Sequence, residues 1–241
     1  MRDRYSLAVG LLFAAVIAIA LLNTLGSGDE GTLGLDRLEP RWALPEFAVP
    51  RAAGPLEGDA NVAQDDCETS RDPCPESARR PPACRIDTPG AIRVCDLFAR
   101  PLVISFWFSR GGNCLAQQDA VDRVYARYRD RVGFLSLDVR DDRDAVRETI
   151  RRRGWRMPVG YDRDGAVAGL YRVGGCPTFA YVYPGGTLQD ASVGELTADQ
   201  LEARVESLLR ATRAAEAPPS RAAEAPPPRT ASNFQSGRLK I

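Results

Sequence analysis

The chain contains six cysteines and no histidine, so cysteine is the residue type most suited to chemistry in this sequence. Without histidine there is no Ser-His-Asp or Cys-His catalysis and no imidazole metal site. Any catalysis must therefore use cysteine or carboxylate side chains, and we expect neither a metal ion nor another cofactor. The cysteines fall into two groups, four between residues 67 and 95 and two further along the chain, at Cys114 and Cys176.

The first group consists of Cys67, Cys74, Cys84 and Cys95, with six, nine and ten residues between neighbours. This spacing lacks the C-x2-C pairs that are typical of structural zinc sites. Residues 56–100 hold many Pro, Asp and Arg residues and too few aliphatic ones for a core of their own. We therefore predict a cysteine-rich insertion ordered by two structural disulfides, and the sequence leaves the three possible pairings open.

The N-terminus predicts a membrane anchor. No charged residue occurs from Tyr5 to Gly28, and a helix that crosses a bilayer needs about 20 apolar residues. Arginines precede this segment and acidic residues follow it, which places the N-terminus in the cytoplasm and the remaining chain outside. Residues 1–28 are thus expected to form a cytoplasmic stub and one transmembrane helix. A cleaved signal peptide is the alternative, and it also leads to an extracytoplasmic protein.

Composition divides the rest of the chain. Residues 29–55 are expected to form a linker, in which RWALPEFAVP could supply an edge strand. Residues 101–212 carry alternating strand and helix patterns and form the expected domain. Residues 213–241 repeat RAAEAPP, which is typical of a disordered tail. Basic and acidic residues both total 32, so nucleic acid is not an expected partner.

The domain pattern predicts the order β-α-β-α-β-β-α. Its first strand is LVISFWF (102–108), and the helix that follows runs from Cys114 to Tyr128 with Asn113 as its cap. A second strand (132–139) leads to a helix that Asp142 caps and Gly154 ends. The last part consists of a short helix (165–171), two hairpin strands (178–183 and 188–193) and a final helix that starts with a capping box at Thr197 and Gln200.

Four segments follow one another in this order, namely FWFSRGGNC (106–114), LDVRDDRDAVRETI (137–150), GYDRDGAVAGLYRV (160–173) and GGCPTFAYV (174–182). Their order and spacing resemble the thioredoxin fold, and in particular the membrane-anchored TlpA-like thiol-disulfide oxidoreductases. The resemblance covers about residues 101–210 and implies a three-layer α/β/α fold with a mixed central sheet. It also implies a site at the start of the first helix, with Trp107, Arg110, Gly111 and Asn113 as its wall.

The chain departs from that family at the reactive position. The family's C-x-x-C motif begins with an attacking cysteine, and Gly111 stands there in this chain, whereas the second cysteine is kept as Cys114. The buried acid of bacterial thioredoxins is also missing, because Ser105 takes its place. Pro177 matches the family's cis-proline, which lies against the active-site cysteines, and Cys176 precedes it. The resemblance therefore implies that Cys114 and Cys176 are close enough to form a disulfide.

Three functions follow from this arrangement. The first is thiol-disulfide exchange with an extracytoplasmic thiol or disulfide protein, through a relocated pair formed by Cys114 and Cys176, with Pro177 beside it. The second is a thiol peroxidase that uses Cys114, with Arg110 lowering the pKa of its thiol. The third is a non-catalytic binding domain in which the same disulfide is structural. A group of acidic residues is interpreted as helix caps and solvated loop charges, and not as a metal site; its members are Asp138, Asp141, Asp142 and Asp144.

Overall fold

The computed structural model of this 241-residue chain describes residues 17, 34–35, 41–57, 82–85, 87–110 and 113–216. Apart from Ile17, the anchor predicted at residues 1–28 lies outside the described residues, as do Cys67, Cys74 and the tail from residue 217. Within the described ranges, no helix combines the length and the apolar character that a membrane crossing requires.

The described chain contains seven strands and four α-helices, together with two short 3-10 helices at Ala83–Arg85 and Val94–Leu97. The strands are β1 (Ala48–Pro50), β2 (Ala91–Arg93), β3 (Leu102–Trp107), β4 (Gly133–Val139), β5 (Val159–Asp162), β6 (Thr178–Tyr183) and β7 (Thr187–Val193). The α-helices are α1 (Cys114–Tyr128), α2 (Arg143–Arg153), α3 (Ala166–Leu170) and α4 (Ala198–Glu216).

The central sheet has five strands in the order β5-β4-β3-β6-β7. β3, β4 and β5 pair in parallel, whereas β6 runs antiparallel to β3 and β7 antiparallel to β6. This is the mixed sheet that the sequence predicted. The burial of every residue of β3 explains its continuous apolar sequence, because both of its faces are covered.

Two hydrophobic clusters cover the two faces of the sheet. The first cluster contains apolar residues of α1 and α4, such as Val121 and Val205, together with Val103 and Trp107 of β3. The second contains Ile104 of the same strand. Because successive residues of a strand point to opposite faces, the two clusters lie on opposite sides of the sheet. The first face is therefore the one that carries the start of α1.

The segment at residues 41–57, predicted as part of a linker, belongs to the second cluster. Phe47 and Val49 are fully buried there, and β1 forms a two-stranded antiparallel sheet with β2. The folded unit therefore extends beyond the predicted range 101–212. Its second outer layer consists largely of this segment and the short helix α3, so it is less helical than the predicted α/β/α arrangement. At the other end, α4 continues to Glu216 and includes four residues assigned to the tail.

The strand β5 was missed by the sequence prediction. It is only four residues long and follows Pro158, so it offers no usable alternation of apolar and polar residues. A Cβ atom on Gly160 would lie 2.7 Å from Leu137 Cδ2 and 2.8 Å from Val49 Cγ2. The glycine that weakens the strand pattern is therefore required for close packing between β4 and the segment that contains β1.

Helix caps agree with the sequence prediction at α2 and α4. Asp142 accepts a hydrogen bond from the Ala145 N–H at 2.9 Å, and Gly154 ends α2 in the left-handed conformation at φ 68°. Thr197 and Gln200 form the predicted capping box. At α1, Asn113 occupies the predicted N-cap position, but its side chain makes no capping hydrogen bond.

Asp142→Ala should lower the free energy of unfolding by about 1 kcal/mol, because it leaves a helix N–H without its acceptor. Urea denaturation with the disulfides intact measures this loss. Asp144→Ala is the matched control, since Asp144 is an exposed carboxylate in the first turn of the same helix that pairs with Arg147. We expect the control to change stability by less than about 0.5 kcal/mol; an equal loss in both variants would contradict the capping role.

Candidate active site

Cys114 and Cys176 form a disulfide across 62 positions of sequence, with their Cα atoms 6.0 Å apart. Cys114 is the first residue of α1, just beyond the carboxyl end of β3, and Cys176 lies in the loop that leads into β6. β3 and β6 are neighbours in the sheet. The antiparallel pairing therefore brings the end of one strand and the start of the other to the same place.

The two sulfur-bearing residues differ in their access to solvent. Cys114 is only 2% exposed and belongs to the first core cluster, whereas Cys176 is partly buried and packs against that cluster. The peptide bond between Cys176 and Pro177 is cis, and the Pro177 carbonyl accepts a hydrogen bond from the Gly194 N–H at 2.9 Å. The loop thus leaves Cys176 in contact with solvent and ties Pro177 to the end of β7.

Trp107 forms part of the buried wall beneath this disulfide. It is 1% exposed and shares the first core cluster with Cys114. Its ring meets Trp155 edge to face with the centroids 5.3 Å apart. Trp155 is held in turn by a hydrogen bond from its indole N–H to the Asp119 carboxylate at 2.7 Å. The paired indoles give the site a rigid apolar floor.

Three other predicted wall residues have different positions. The exposed Arg110 side chain lies 3.8 Å from the buried carboxylate of Asp141. The Asn113 side-chain amide donates to Glu195 at 3.5 Å. Gly111 lies outside the described residues. The geometry therefore pairs Arg110 with an acidic group, and not with the cysteine as the peroxidase interpretation required.

Ser105 replaces the buried acid of thioredoxins with a satisfied hydroxyl. It donates to Gln118 Oε1 at 3.1 Å, and Ser136 of β4 donates to the same oxygen at 2.9 Å. Gln118 is a residue of α1. These hydrogen bonds tie α1 to two central strands but supply no group that titrates near neutral pH.

Two buried carboxyl groups near the site were misassigned by the sequence prediction. Asp138 is 0% exposed and Asp141 is buried, so neither is a solvated loop charge. Burial, followed by the hydrogen bond and negative charge of the Asp141 side chain, raises the pKa of Asp138 to about 9, and the Asp141 backbone N–H offsets only part of that rise. Strand alternation was the available signal, because Phe134 and Ser136 point to the same face of β4 as Asp138.

The second disulfide that the structure describes joins Cys84 and Cys95, whose Cα atoms are 6.0 Å apart. Cys95 packs against the second core cluster, on the opposite face of the sheet from Cys114. Glu46 accepts a hydrogen bond from the Cys84 N–H at 3.1 Å. This bridge is consistent with the structural role predicted for the first group of cysteines, whereas Cys67 and Cys74, whose pairing the sequence left open, lie outside the described residues.

An open groove of about 480 Å³ is lined at one end by Asn113, the residue before Cys114, although neither cysteine lines it. One wall comes from the first turns of α1, and the other from the segment between β7 and α4. Gln117 joins these walls by accepting a hydrogen bond from the Leu196 N–H at 2.7 Å. The polar lining includes Asn113, Arg123, Glu195 and Thr197. The lining of the groove is therefore largely polar.

The mixed sheet, the helix that begins at a cysteine and the cis-proline loop define a thioredoxin-like protein. Solved structures support this fold. A protein from Chlorobium tepidum assigned as thiol:disulfide interchange protein DsbE superposes with a TM-score of 0.52 at 18% identity, covering 71% of this chain and 99% of that one. The thioredoxin domain of a thiol-disulfide oxidoreductase from Bacteroides vulgatus gives a TM-score of 0.50 at 15% identity, with coverages of 70% and 97%.

Proteins that are similar in sequence indicate a narrower class than the solved structures do. Thiol-disulfide oxidoreductase ResA of Oceanobacillus iheyensis is 27% identical over 112 residues, which is 46% of this chain and 58% of that protein. ResA of Bacillus thuringiensis is 25% identical over 118 residues, or 48% and 68% of the two chains. The match thus spans less than two thirds of the first relative. No family model matches the chain. The relatives are TlpA-like thiol-disulfide oxidoreductases of the thioredoxin superfamily, which confirms the predicted resemblance.

Proposed function

We propose that this protein is an extracytoplasmic thiol-disulfide oxidoreductase that works through a relocated pair, Cys114 and Cys176. The observation that carries the proposal is their disulfide, which links the first residue of α1 to the cis-proline loop. The similarity to thiol-disulfide oxidoreductases supports the reaction class. The uncharged N-terminal segment, preceded by arginines, supports anchoring in a membrane with the domain outside the cytoplasm.

The difference in exposure assigns the two cysteines different roles. Cys176 is the sulfur that a partner can reach, and Cys114 is the buried one. A substrate thiolate attacks Cys176 Sγ, a new sulfur-sulfur bond forms, and the electron pair of the broken disulfide goes to Cys114 Sγ. A second substrate thiolate then attacks the first substrate sulfur and releases Cys176 as a thiolate. The substrate loses two electrons and the protein gains them.

The start of α1 favours this division of roles. Cys114 is the first residue of a 15-residue helix, and the unpaired N–H groups and dipole at a helix N-terminus stabilise a thiolate. The helix start therefore lowers the energy of the charge that forms on Cys114 Sγ as the disulfide breaks, which favours attack on Cys176 over attack on Cys114. Burial of Cys114 opposes this charge and favours the protonated sulfur once the bond is broken. The family's exposed first cysteine is thus replaced by Cys176, which reaches the same buried sulfur from another loop.

The expected partner is a polypeptide that carries a thiol pair or a disulfide. The groove between α1 and the segment after β7 lies next to Asn113 and close to the Pro177 loop, so a chain bound there would reach Cys176. A peroxidase is less consistent with the geometry. Its reactive cysteine must meet peroxide as an activated thiolate, whereas Cys114 is buried and disulfide-bonded and Arg110 pairs with Asp141.

The native oxidised protein should react with a small dithiol at Cys114 and Cys176 while Cys84–Cys95 stays closed. Alkylation at intervals followed by peptide mass spectrometry measures the two bridges separately, and the second bridge is the internal control. We expect a single two-electron potential above about −300 mV, the level below which structural disulfides lie. The reduced protein should likewise open a disulfide in an unfolded polypeptide. A Cys114–Cys176 bridge that opens only on denaturation would establish the structural alternative.

A further inference from the structure

The proposed exchange reaction needs a group that donates a proton to the buried sulfur and accepts it again. Ser105 cannot do this, because its hydroxyl does not titrate near neutral pH. Asp138 lies in the position to take this role. In the register of the sheet it is the neighbour of Trp107 on β3 and of Tyr161 on β5. Both aromatic residues belong to the core cluster that contains Cys114 and against which Cys176 packs. Asp138 therefore lies on the disulfide's face of the sheet, at the same end of the strands.

The surroundings of Asp138 favour its neutral form. The side chain is 0% exposed, and neither carboxyl oxygen makes a well-aligned hydrogen bond with a donor in the described part of the chain. Its polar neighbour is the carboxyl group of Asp141. Two carboxyl groups so close together can share a proton but are not readily both charged. The pair is thus arranged to hold one proton next to the core cluster of the site.

Asp141 connects this pair to the loop in front of α1. Its carboxylate accepts a hydrogen bond from the Ser109 N–H and lies near the guanidinium of Arg110. Its backbone carbonyl accepts a hydrogen bond from the hydroxyl of Tyr161 at 2.9 Å. The first two partners are a hydrogen-bond donor and a cation, so they hold the Asp141 carboxyl group in place beside the loop.

Other acidic groups near the site have defined structural partners. Asp162 accepts hydrogen bonds from the Val167 and Ala168 N–H groups at the start of α3, although its charge also acts on Asp138. On α1, Asp119 accepts a hydrogen bond from the Trp155 indole, and Asp122 accepts two from backbone N–H groups at residues 156 and 157. Among these acids, Asp138 is the one whose oxygens make no well-aligned hydrogen bond with a donor in the described ranges.

We propose that Asp138 is the proton donor and acceptor of the Cys114–Cys176 couple, with Asp141 as the positioning residue that keeps the proton on it. The inference rests on the proposed function. When a thiolate attacks Cys176 Sγ, the sulfur-sulfur bond breaks and its electron pair goes to Cys114 Sγ. The proton of Asp138 then moves to that sulfur, which leaves Cys114 as a thiol and Asp138 as a carboxylate. Reoxidation reverses the transfer, because Asp138 removes the proton before Cys114 attacks the mixed disulfide.

The test is the rate at which dithiothreitol reduces Cys114–Cys176 in the oxidised full chain, divided by the fraction of dithiothreitol present as thiolate. Between about pH 6 and pH 10, the wild-type rate should fall roughly tenfold as Asp138 loses its proton near pH 9. Asp138→Asn should be about tenfold slower at pH 7 and should show no such fall. A purely structural acid would change the stability but would leave this pH profile in place.

Asp141→Asn provides a second variant in case Asp138→Asn fails to fold. It removes the charge that raises the pKa of Asp138, so the fall in rate should move to lower pH. Asp162→Asn is the matched control, a buried acid held by the α3 backbone, and it should keep the fall near the wild-type pH. If the pH profiles of the reduction rate in Asp138→Asn and Asp141→Asn coincide with that of the wild type, the role of Asp138 is overturned and the proposed function stands. A wild-type disulfide that does not react in the native protein would overturn the proposed function as well.

Discussion

Cys114→Ser should turn the protein into a trap that accumulates mixed disulfides at Cys176, whereas Cys176→Ser should accumulate almost none. In the first variant the thiolate of Cys176, which is only partly buried, attacks a substrate disulfide and releases a substrate thiolate. No second cysteine remains at the site to resolve the mixed disulfide. In the second variant the remaining thiol, Cys114, is 2% exposed and cannot be reached by a polypeptide. In both variants the rate of complete exchange cycles should be at least about a thousandfold lower than in the wild type.

The trapping experiment uses a polypeptide with one disulfide as the substrate, with non-reducing electrophoresis and peptide mass spectrometry as readouts. The double variant Cys84→Ser with Cys95→Ser is the control, because it removes a bridge on the other face of the sheet and should exchange at the wild-type rate. Mixed disulfides found mainly on Cys114 in Cys176→Ser would reverse the assigned roles. Equal trapping in both variants would show that burial does not select the attacked sulfur.

The stability of the wild-type protein should fall as the pH rises from about 4 to about 9, and Asp138→Asn should remove most of this loss. An unfolded aspartate has a pKa of about 3.9, whereas burial and Asp141 raise the pKa of folded Asp138 to about 9. Between these values the folded state binds one more proton than the unfolded state. The free energy of unfolding therefore decreases by up to about 1.4 kcal/mol per pH unit.

Denaturant titrations at a series of pH values, with the disulfides intact, measure this difference. The gap between Asp138→Asn and the wild type should widen steadily up to about pH 9. Asp162 provides an internal comparison, because burial raises its pKa only to about 6. Asp162→Asn should change the slope below about pH 6 and leave it unaltered above. Parallel stability curves for Asp138→Asn and the wild type would show that Asp138 is charged in the folded protein.

The elements that could be predicted from the sequence are those with strong local signals. The continuous apolar run of β3, the periodicity of α1 and the capping residues of α2 and α4 all act within a few residues of one another. β5 and the segment 41–57 could not be predicted in this way. Their positions are set by contacts with distant residues, such as the fit of Gly160 between Leu137 and Val49, and no short window of sequence contains those partners.

The candidate site, too, could be predicted only in part from local sequence. Nothing in the spacing of Cys114 and Cys176 indicates a bridge, and only the resemblance of the segment around Pro177 implied one. Asp138 and Asp141 illustrate the remaining difficulty. Both stand in the acidic run at the end of β4, and a run of aspartates at a strand end is typical of solvated caps. Their burial depends on how the neighbouring strands and the loop before α1 cover them, which the local sequence does not show.

The segment 41–57 also covers part of both edges of the five-stranded sheet. It bridges to Thr187 on β7 through Ala43 and to Gly160 on β5 through Arg51, and these two strands are the outer ones of the five-stranded sheet. Exposed strand edges invite pairing with foreign chains and aggregation. A single stretch of backbone thus occupies hydrogen-bonding positions on both rims. If the proposed function holds, we expect a protein substrate to bind at the loops around Cys176 and not by β-augmentation at the positions that this segment occupies.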